Sequence, residues 1–219
     1  MILLPLSFRR LALAALAACA AASALTACAP LVVGGAAVGA LVAIDRRTSG
    51  AQLEDEGIEL RAASRIRETF GDRVHVNTTS YNRQVLLTGE VPNDAARQQV
   101  EQLVSRVENV RSVVNELAVL GNTTLAQRSN DVLITGKVRA SLVDAKDLYA
   151  GAFKVVTERG TTYLMGRVTQ READRATAIT RSVSGVQKVV RIFETISEEE
   201  LRRIQPQQAP QPARAASAS

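Results

Sequence analysis

The stretch that decides the fold is residues 85–91, Val-Leu-Leu-Thr-Gly-Glu-Val, because it returns later in the chain. Residues 162–168, Thr-Tyr-Leu-Met-Gly-Arg-Val, align with it at an offset of 77. Residues 107–114 then match residues 183–190 at an offset of 76. Two blocks that keep almost the same offset indicate that the chain carries one structural unit twice.

The first unit is predicted to run helix, strand, strand, helix, strand. Ile58, Ala62, Ile66 and Phe70 recur every four residues, which is the spacing of one apolar helical face. Alternation on the second strand places its apolar side chains and a glycine on one inward face. The predicted elements are a helix ending before Gly71, strands at residues 74–80 and 85–91, a helix to about Val107 capped by Asn93 or Asp94, and a third strand at residues 110–119.

The second unit repeats this pattern, with Ile134, Val138, Leu142 and Ala145 as its first helical stripe. Its hairpin is expected at residues 153–157 and 161–168, its second helix at residues 170–183 and its last strand at residues 186–196. Two helices on one face of a three-stranded sheet make a small sandwich, so the expected fold class is α+β. Gly89 and Gly166 occupy the same position in the two copies and are expected to be structural glycines.

The N-terminal region has the features of a targeting signal. Arg9 and Arg10 precede an Ala/Leu run at residues 11–24, which indicates a secretory signal rather than a transmembrane helix, because the run is short and rich in alanine. The end of this run, Leu-Thr-Ala-Cys at residues 25–28, resembles a bacterial lipobox, in which the cysteine is acylated and the chain is cut before it. Cys19 fits the same pattern, but Cys28 leaves an apolar run of normal length and is favoured.

The acylated cysteine implies a membrane anchor, since each buried methylene contributes about 0.8 kcal/mol. Ala29 follows Cys28, in place of the aspartate that retains many lipoproteins in the inner membrane. The resemblance therefore implies the outer membrane, facing the periplasm. Domains of about 70 residues are near the lower limit of independent stability, so we expect the two units to pack on each other or on their flanking segments. The expected organisation is a signal peptide at 1–27, a flexible tether at 28–50, a first domain at 51–120, a linker at 121–127, a second domain at 128–196, and a short helix with a disordered tail at 197–219.

These residues resemble a known family. The helix-strand-strand-helix-strand order, the strands ending Leu-x-Gly-x-Val at residues 87–91 and 164–168, and the Val-x-x-Val-Val strand that follows each are similar to BON domains. A lipobox followed by two such units resembles the dual-BON outer-membrane lipoproteins of Gram-negative bacteria, as does Ser-Asn-Asp at residues 129–131 with Lys-Val-Arg at residues 137–139. The resemblance implies binding of anionic phospholipid, a role in envelope integrity, and the second domain as the lipid reader.

The charge distribution agrees with this implication. Residues 51–120 contain 8 Lys/Arg against 11 Asp/Glu, whereas residues 128–196 contain 12 against 7. Each basic residue beside an anionic lipid surface contributes about 1 kcal/mol. The partners that the resemblance implies are anionic phospholipids such as phosphatidylglycerol and cardiolipin. Leu133 stands where the relatives carry an aromatic residue, and a leucine can still insert among acyl chains. The candidate lipid-binding residues are Leu133, Lys137, Arg139 and Lys146.

Other functions find little support in the sequence. Both cysteines lie in the N-terminal region, and His75, the only histidine, is interpreted as a surface strand residue. No nucleophile motif, phosphate loop or metal-ligand cluster is found, so we expect no enzyme, no cofactor and no metal. Export argues against nucleic acid as a partner. The alternative is a protein adaptor that contacts outer-membrane assembly proteins or the cell wall through a sheet edge or through the acidic first unit.

Overall fold

The computed structural model of the chain describes residues 45–121 and 123–204. The predicted signal peptide, the candidate acylated residue Cys28, the alternative Cys19 and the tail after residue 204 lie outside the described residues. The first domain contains α1 (Ser49–Phe70), β1 (His75–Tyr81), β2 (Gln84–Val91), α2 (Asp94–Ser105), β3 (Ser112–Asn115) and β4 (Ala118–Val119). The second contains α3 (Leu125–Asp144), β5 (Lys154–Glu158), β6 (Thr161–Val168), α4 (Gln170–Ser182), β7 (Lys188–Thr195) and the short helix α5 (Glu198–Ile204).

Each domain builds its sheet in the same way. β1 and β2 form an antiparallel hairpin, and β3 returns after α2 to pair with β2 in parallel. β5, β6 and β7 repeat this arrangement in the order β5-β6-β7. The longest strand of each hairpin therefore lies in the centre, and β1 and β5 are edge strands. The predicted α+β fold with two tandem units is confirmed.

The third strand of the first domain differs from the expectation of one continuous strand. It is interrupted after Asn115, whose side-chain oxygen accepts a hydrogen bond from the backbone N–H of Leu117 at 3.2 Å. The Glu116 N–H still donates to the Leu87 carbonyl, and the two following residues pair again with β2 as β4. The interruption brings the Leu117 side chain into the core beneath α1 and α2.

Each sheet carries its two helices on one face, and the predicted helical stripes form the cores. Ile58, Ala62, Ile66 and Phe70 of α1 are all buried in the first core, against Val85, Leu87 and Val91 of β2. The second core is built equivalently from Ile134, Val138 and Leu142 of α3 with Leu164 and Val168 of β6. Ala145 is only partly buried because it follows the end of α3.

A buried aspartate of the first helix holds the hairpin turn in each domain. Both hairpins turn through two residues with positive φ, residues 82–83 and residues 159–160, a conformation that matches the twist of the strands. Asp55 accepts hydrogen bonds from both backbone N–H groups of the first turn at 2.7 and 2.8 Å, and from the Ser80 hydroxyl at 2.6 Å. Asp131 accepts from both N–H groups of the second turn at 2.8 and 2.9 Å.

The repeated glycine of the central strands is required by a close approach of backbone. A Cβ atom on Gly89 would collide with the carbonyl oxygen of His75 on β1, and Gly89 has a φ of +113°. A Cβ on Gly166 would collide with the carbonyl oxygen of Ala152, just before β5. Both positions therefore accept only glycine without a shift of the neighbouring backbone.

The two domains pack through their sheets. The face of each sheet that carries no helix contributes to a third apolar core between the domains. As a result, Leu86 and Leu87 are both fully buried although they point to opposite faces of β2. The expectation that the small domains pack on each other is confirmed, and the layers run helices, sheet, sheet, helices. The buried members of this core are Tyr81, Leu86, Tyr163, Met165 and Ile192.

The residues before α1 are docked on the second domain, although the sequence placed them in a flexible tether. Arg46 forms a two-pronged ion pair with Glu172 at the start of α4, at 2.7 and 2.8 Å, and donates to the Arg167 carbonyl at 2.9 Å. Both charged side chains are only 1% exposed. The Arg47 guanidinium lies 4.5 Å from the centre of the Tyr81 ring. These contacts bind the N-terminal segment to both domains.

Candidate functional site

Helix α3 has one buried face and one unusually apolar exposed face. It begins with a reciprocal capping box, in which Gln127 N–H donates to Thr124 Oγ1 and Thr124 N–H donates to Gln127 Oε1 at 2.9 Å. Its buried face holds the second core, and its opposite side, here named the outer face of α3, has seven exposed positions without a charge, bordered on one flank by Arg139. These positions are Leu125, Ser129, Val132, Leu133, Gly136, Ala140 and Val143.

The outer face of α3 exposes large apolar side chains to solvent. Leu125, Val132 and Leu133 are 79%, 71% and 64% exposed. Gly136 and Ala140 between them leave the surface shallow, since they carry little or no side chain. Contiguous exposed apolar surface on a folded domain marks a contact site for a membrane or another molecule.

The four candidate lipid-binding residues do not all lie together. Leu133 and Lys137 are both exposed and stand one helical turn apart on α3. Arg139 lies on the other flank of the helix, about 200° from Lys137 around the axis, and its Nη2 donates to the Val155 carbonyl at 3.2 Å. Lys146 is exposed but follows the end of α3. The structure thus brings together Leu133 and Lys137, and separates Arg139 and Lys146 from them.

A groove of about 1110 Å³ runs between the two domains. Its walls are α1, with Leu60, and α3, with Val132 and Arg139, while residues 75–79 of β1 and residues 155–158 of β5 line its floor. We call this the interdomain groove. It was not predicted from the sequence, because it exists only where the first helices and the edge strands of two packed domains meet.

A smaller pocket of about 340 Å³ shares Arg139 and Val155 with the interdomain groove. Asp45, the first described residue, lines it together with Val143 of the outer face of α3. Asp45, which precedes α1, therefore lines the same pocket as the end of α3.

A buried carboxylate links the domains at one end of the groove. The Glu90 side chain is fully buried, contacts His75 Nδ1 at 2.9 Å, and accepts from Arg159 Nη1 of the second domain at 2.7 Å. Burial alone would raise the pKa of Glu90, but the hydrogen bonds from His75 and Arg159 outweigh it and lower the pKa. His75 lies on a strand as expected, and its side chain is 22% exposed, lines the groove and contacts Glu90.

The pKa of a second carboxylate, Glu158, is shifted in the direction opposite to that of its neighbour Glu90. Glu158, at the end of β5, is buried and lines the groove, where its Oε2 accepts from Asn77 Nδ2 at 3.1 Å. Burial raises the pKa of Glu158, and the charge of the neighbouring Glu90 adds to this, while the hydrogen bond from Asn77 works against it. One end of the groove is therefore acidic, and the hydrogen bond from Asn77 does not offset the cost of burying the Glu158 carboxylate.

The described residues offer no centre for metal chemistry and no membrane-spanning element. Within residues 45–121 and 123–204, no three His, Cys, Asp or Glu side chains are placed to hold a metal ion. In the same part of the chain, every helix is too short or too polar to cross a bilayer. The arrangement present is an exposed apolar helix face beside a groove with an acidic end.

Comparison with known proteins agrees with the architecture. The family described as BON domain matches residues 55–121 and 130–195. The chain is 38% identical over 168 residues to Outer membrane lipoprotein DolP of Haemophilus influenzae, which covers 76% of this chain and 87% of that protein. It is 30% identical over 152 residues to the 21 kDa hemolysin of Actinobacillus pleuropneumoniae, which covers 68% of this chain and 78% of that protein.

Among solved structures, CdsD of the type III secretion system of Chlamydia trachomatis is similar over 72% of this chain, at 14% identity and a TM-score of 0.28. A likeness this low carries no argument about function. The two matches to the BON-domain family and the 38% identity to DolP over most of both chains show the family of this protein. The chain belongs to the BON-domain family, as one of the dual-BON lipoproteins.

Proposed function

We propose that this protein is an outer-membrane lipoprotein, anchored through Cys28 and facing the periplasm, that binds anionic phospholipid through its second BON domain and supports envelope integrity. The observation that carries the proposal is the outer face of α3, with Leu125, Val132 and Leu133 exposed and no charge among them. Burying apolar surface of this kind contributes about 25 cal/mol per Å².

The charge beside this face supports anionic lipid over neutral lipid. Lys137 stands one turn after Leu133, where its ammonium group can reach phosphate oxygens while Leu133 enters the acyl layer. We propose these two residues as the centre of the contact. Arg139, bonded to the backbone of β5, contributes long-range potential rather than direct contact.

The position of the tether also supports membrane contact at α3. Asp45, the residue of the described chain nearest in sequence to Cys28, lines the same pocket as Val143. An anchor that enters near the outer face of α3 raises the local concentration of lipid at that face, so the domain needs only a weak affinity of its own.

The relatives support the location and the absence of catalysis in this proposal. DolP is named as an outer membrane lipoprotein, and the lipobox resemblance of residues 25–28 points the same way. We further propose that the protein is non-enzymatic, which its two BON-domain matches and its identity to DolP support.

The test is co-sedimentation with liposomes that contain rising fractions of phosphatidylglycerol or cardiolipin. The chain from residue 28 onward is used with Cys28→Ser, so that no acyl chain contributes. The whole chain is needed because the second sheet is buried against the first. Binding is expected to rise with the anionic fraction and to weaken in salt, because screening shortens the reach of charge.

A matched pair of variants locates the contact. Leu133→Ser with Lys137→Glu should abolish liposome binding, whereas Leu53→Ser with Arg97→Glu makes the same changes in polarity and net charge on two helices of the first domain and should not. Leu53 is a fair control because it is 70% exposed on α1. Equal losses in both variants would mean that net charge alone drives binding, and would overturn the assignment to α3.

A further inference from the structure

The interdomain groove runs along the open edges of two sheets. Four consecutive residues of β5 and five of the β1 region, residues 155–158 and 75–79, line it. Consecutive residues of a strand point to alternate faces of the sheet, so they can all line one groove only if the strand presents its edge. β1 and β5 are indeed the outer strands of their sheets on this side.

The hairpin geometry tells which backbone groups of β1 face the groove. Tyr81 pairs with Gln84 across a two-residue turn, so the N–H and C=O groups of Tyr81 and of alternate residues before it point to β2. The groups of Ser80, Thr78 and Val76 therefore point away from β2. Ser80 confirms this direction, because its N–H donates to Glu59 Oε1 at 2.7 Å and its carbonyl accepts from Lys154 at 3.1 Å.

The edge is protected at Ser80 and open further along. Side chains from α1 and β5 satisfy the Ser80 backbone, and Arg139 satisfies the Val155 carbonyl on the opposite edge. Among the described residues, no protein group is bonded to the outward N–H and C=O of Val76 and Thr78. These four groups form a short, regular set of donors and acceptors at the spacing of a β-strand.

The walls of the groove suit apolar side chains. Leu60 of α1 is 73% exposed above this edge, and Val132 of α3 faces it from the other domain. Glu158 adds a buried carboxylate whose only described hydrogen-bond partner is Asn77. A positively charged side chain placed beside Glu158 would gain from this charge.

An acyl chain fits these features less well than a peptide does. It would displace water from the outward amide groups of Val76 and Thr78 without replacing the lost hydrogen bonds, and buried unpaired amide groups are costly. An extended peptide replaces those bonds with its own backbone and alternates its side chains between the two walls.

We infer that the interdomain groove is a peptide-binding site, which takes an extended segment of another protein as an added strand on β1. The segment pairs with Val76 and Thr78, places an apolar side chain against Leu60, and directs a lysine or arginine to Glu158. This inference goes beyond the proposed lipid binding, which centres on Leu133 and Lys137, although the outer face of α3 shares Val132 and Gly136 with the wall of the groove. Leu133 and Lys137 do not line the groove.

The test uses a fluorescent hexapeptide, Lys-Val-Thr-Val-Thr-Val, and the chain from residue 28 onward with Cys28→Ser. Anisotropy should show saturable binding, and the amide signals of Val76 and Thr78 should shift in nitrogen-15 NMR spectra. The same peptide with N-methyl groups on alternate backbone amides keeps its side chains but loses its donors. It should bind at least about tenfold more weakly.

Thr78→Pro removes an N–H that points into the groove and no bond to β2, and proline is tolerated on edge strands. This variant should lose the peptide while its unfolding transition stays close to that of the parent. Glu158→Gln should weaken binding of the lysine peptide but not of a peptide with glutamine at that position. Leu133→Ser with Lys137→Glu should leave peptide binding unchanged.

Three results would overturn the inference. Equal affinity for the N-methylated peptide would exclude strand addition, and so would full binding by a folded Thr78→Pro variant. Shifts at Val76 and Thr78 on addition of lauric acid, without any response to the peptide, would make the groove a lipid site.

Discussion

The two BON domains share the parts that hold the fold and differ in what their first helices expose. Asp55 and Asp131 hold the two hairpin turns in the same way, and Gly89 and Gly166 admit the same close approach of backbone. The exposed side of α1, by contrast, mixes leucines with glutamates and arginines, whereas the outer face of α3 has no charge. Duplication kept the internal contacts and freed the outer surfaces to diverge, so function is to be sought in the differences.

Substitution of the two shared glycines is expected to cause the largest loss of unfolding free energy. Gly89→Ala should destabilise the protein by about 4 kcal/mol or more, because it forces a backbone collision and a positive φ together. Gly166→Ala should cost less, since Gly166 has the collision alone. Urea unfolding measures both. Gly136→Ala, on the open side of α3, is the control and should stabilise the helix by about 1 kcal/mol.

The ion pair between Arg46 and Glu172 is a difference between the domains, because the aligned residue of the first domain is Ala96. Arg46→Ala should cost about 3 kcal/mol, since it leaves the Glu172 carboxylate buried without its partner. Arg97→Ala, an exposed arginine on α2, should change the unfolding free energy by less than about 0.5 kcal/mol. A small loss for Arg46→Ala would show that the N-terminal segment does not hold the second domain.

The paired aspartates test whether the two turns are equally important. Asp131→Ala should cost about 2 kcal/mol, because two backbone N–H groups lose their acceptor. Asp55→Ala should cost about 3 kcal/mol, since the Ser80 hydroxyl and Arg47 also lose a partner. The reverse order of the two losses, read from urea midpoints at constant slope, would contradict this account.

The pH dependence has the smallest expected effect and separates two neighbouring carboxylates. The pKa of Glu90 is lowered in the folded protein, so its contribution is present above the ordinary value near 4.5 and is lost as the pH falls below it. The pKa of Glu158 is raised, so stability falls as the pH rises from about 4.5 through the folded value. Glu90→Gln should therefore reduce the loss of unfolding free energy as the pH falls below about 4.5. Glu158→Gln should reduce the loss of unfolding free energy as the pH rises above about 4.5. The same effect from both variants would mean that the pair titrates as one unit.

Much of the fold could be predicted because helices and strands depend on the spacing of apolar residues and on capping residues within short stretches of sequence. The spacing of Ile58, Ala62, Ile66 and Phe70 places one side of α1 in the core whatever lies beyond it. The expected strand 161–168 coincides with β6, and Asn93, one of two candidates, caps α2. The break between β3 and β4 was missed, since it depends on a side-chain contact of Asn115 that leaves no periodic signal.

The candidate site was predicted only in part. Leu133 and Lys137 were found from charge and family pattern, and helical spacing alone shows that Arg139 cannot share their face. Glu90 and Arg159 were missed because Glu90 lies on the polar side of a strand and Arg159 lies in a hairpin turn, and a solvent-facing residue is the ordinary interpretation of both positions. Nothing in the sequence marks the side of a strand that another domain will cover.

The sequence by itself determined the duplication, the order of helices and strands, the inward faces of each unit, and the resemblance to BON domains, because these depend on contacts within a few turns or strands. Only the tertiary structure decided that the two sheets pack face to face, that Arg46 reaches Glu172, and that two edge strands meet in one groove. These contacts join residues far apart in the chain, and their energies depend on shape and burial rather than on periodicity.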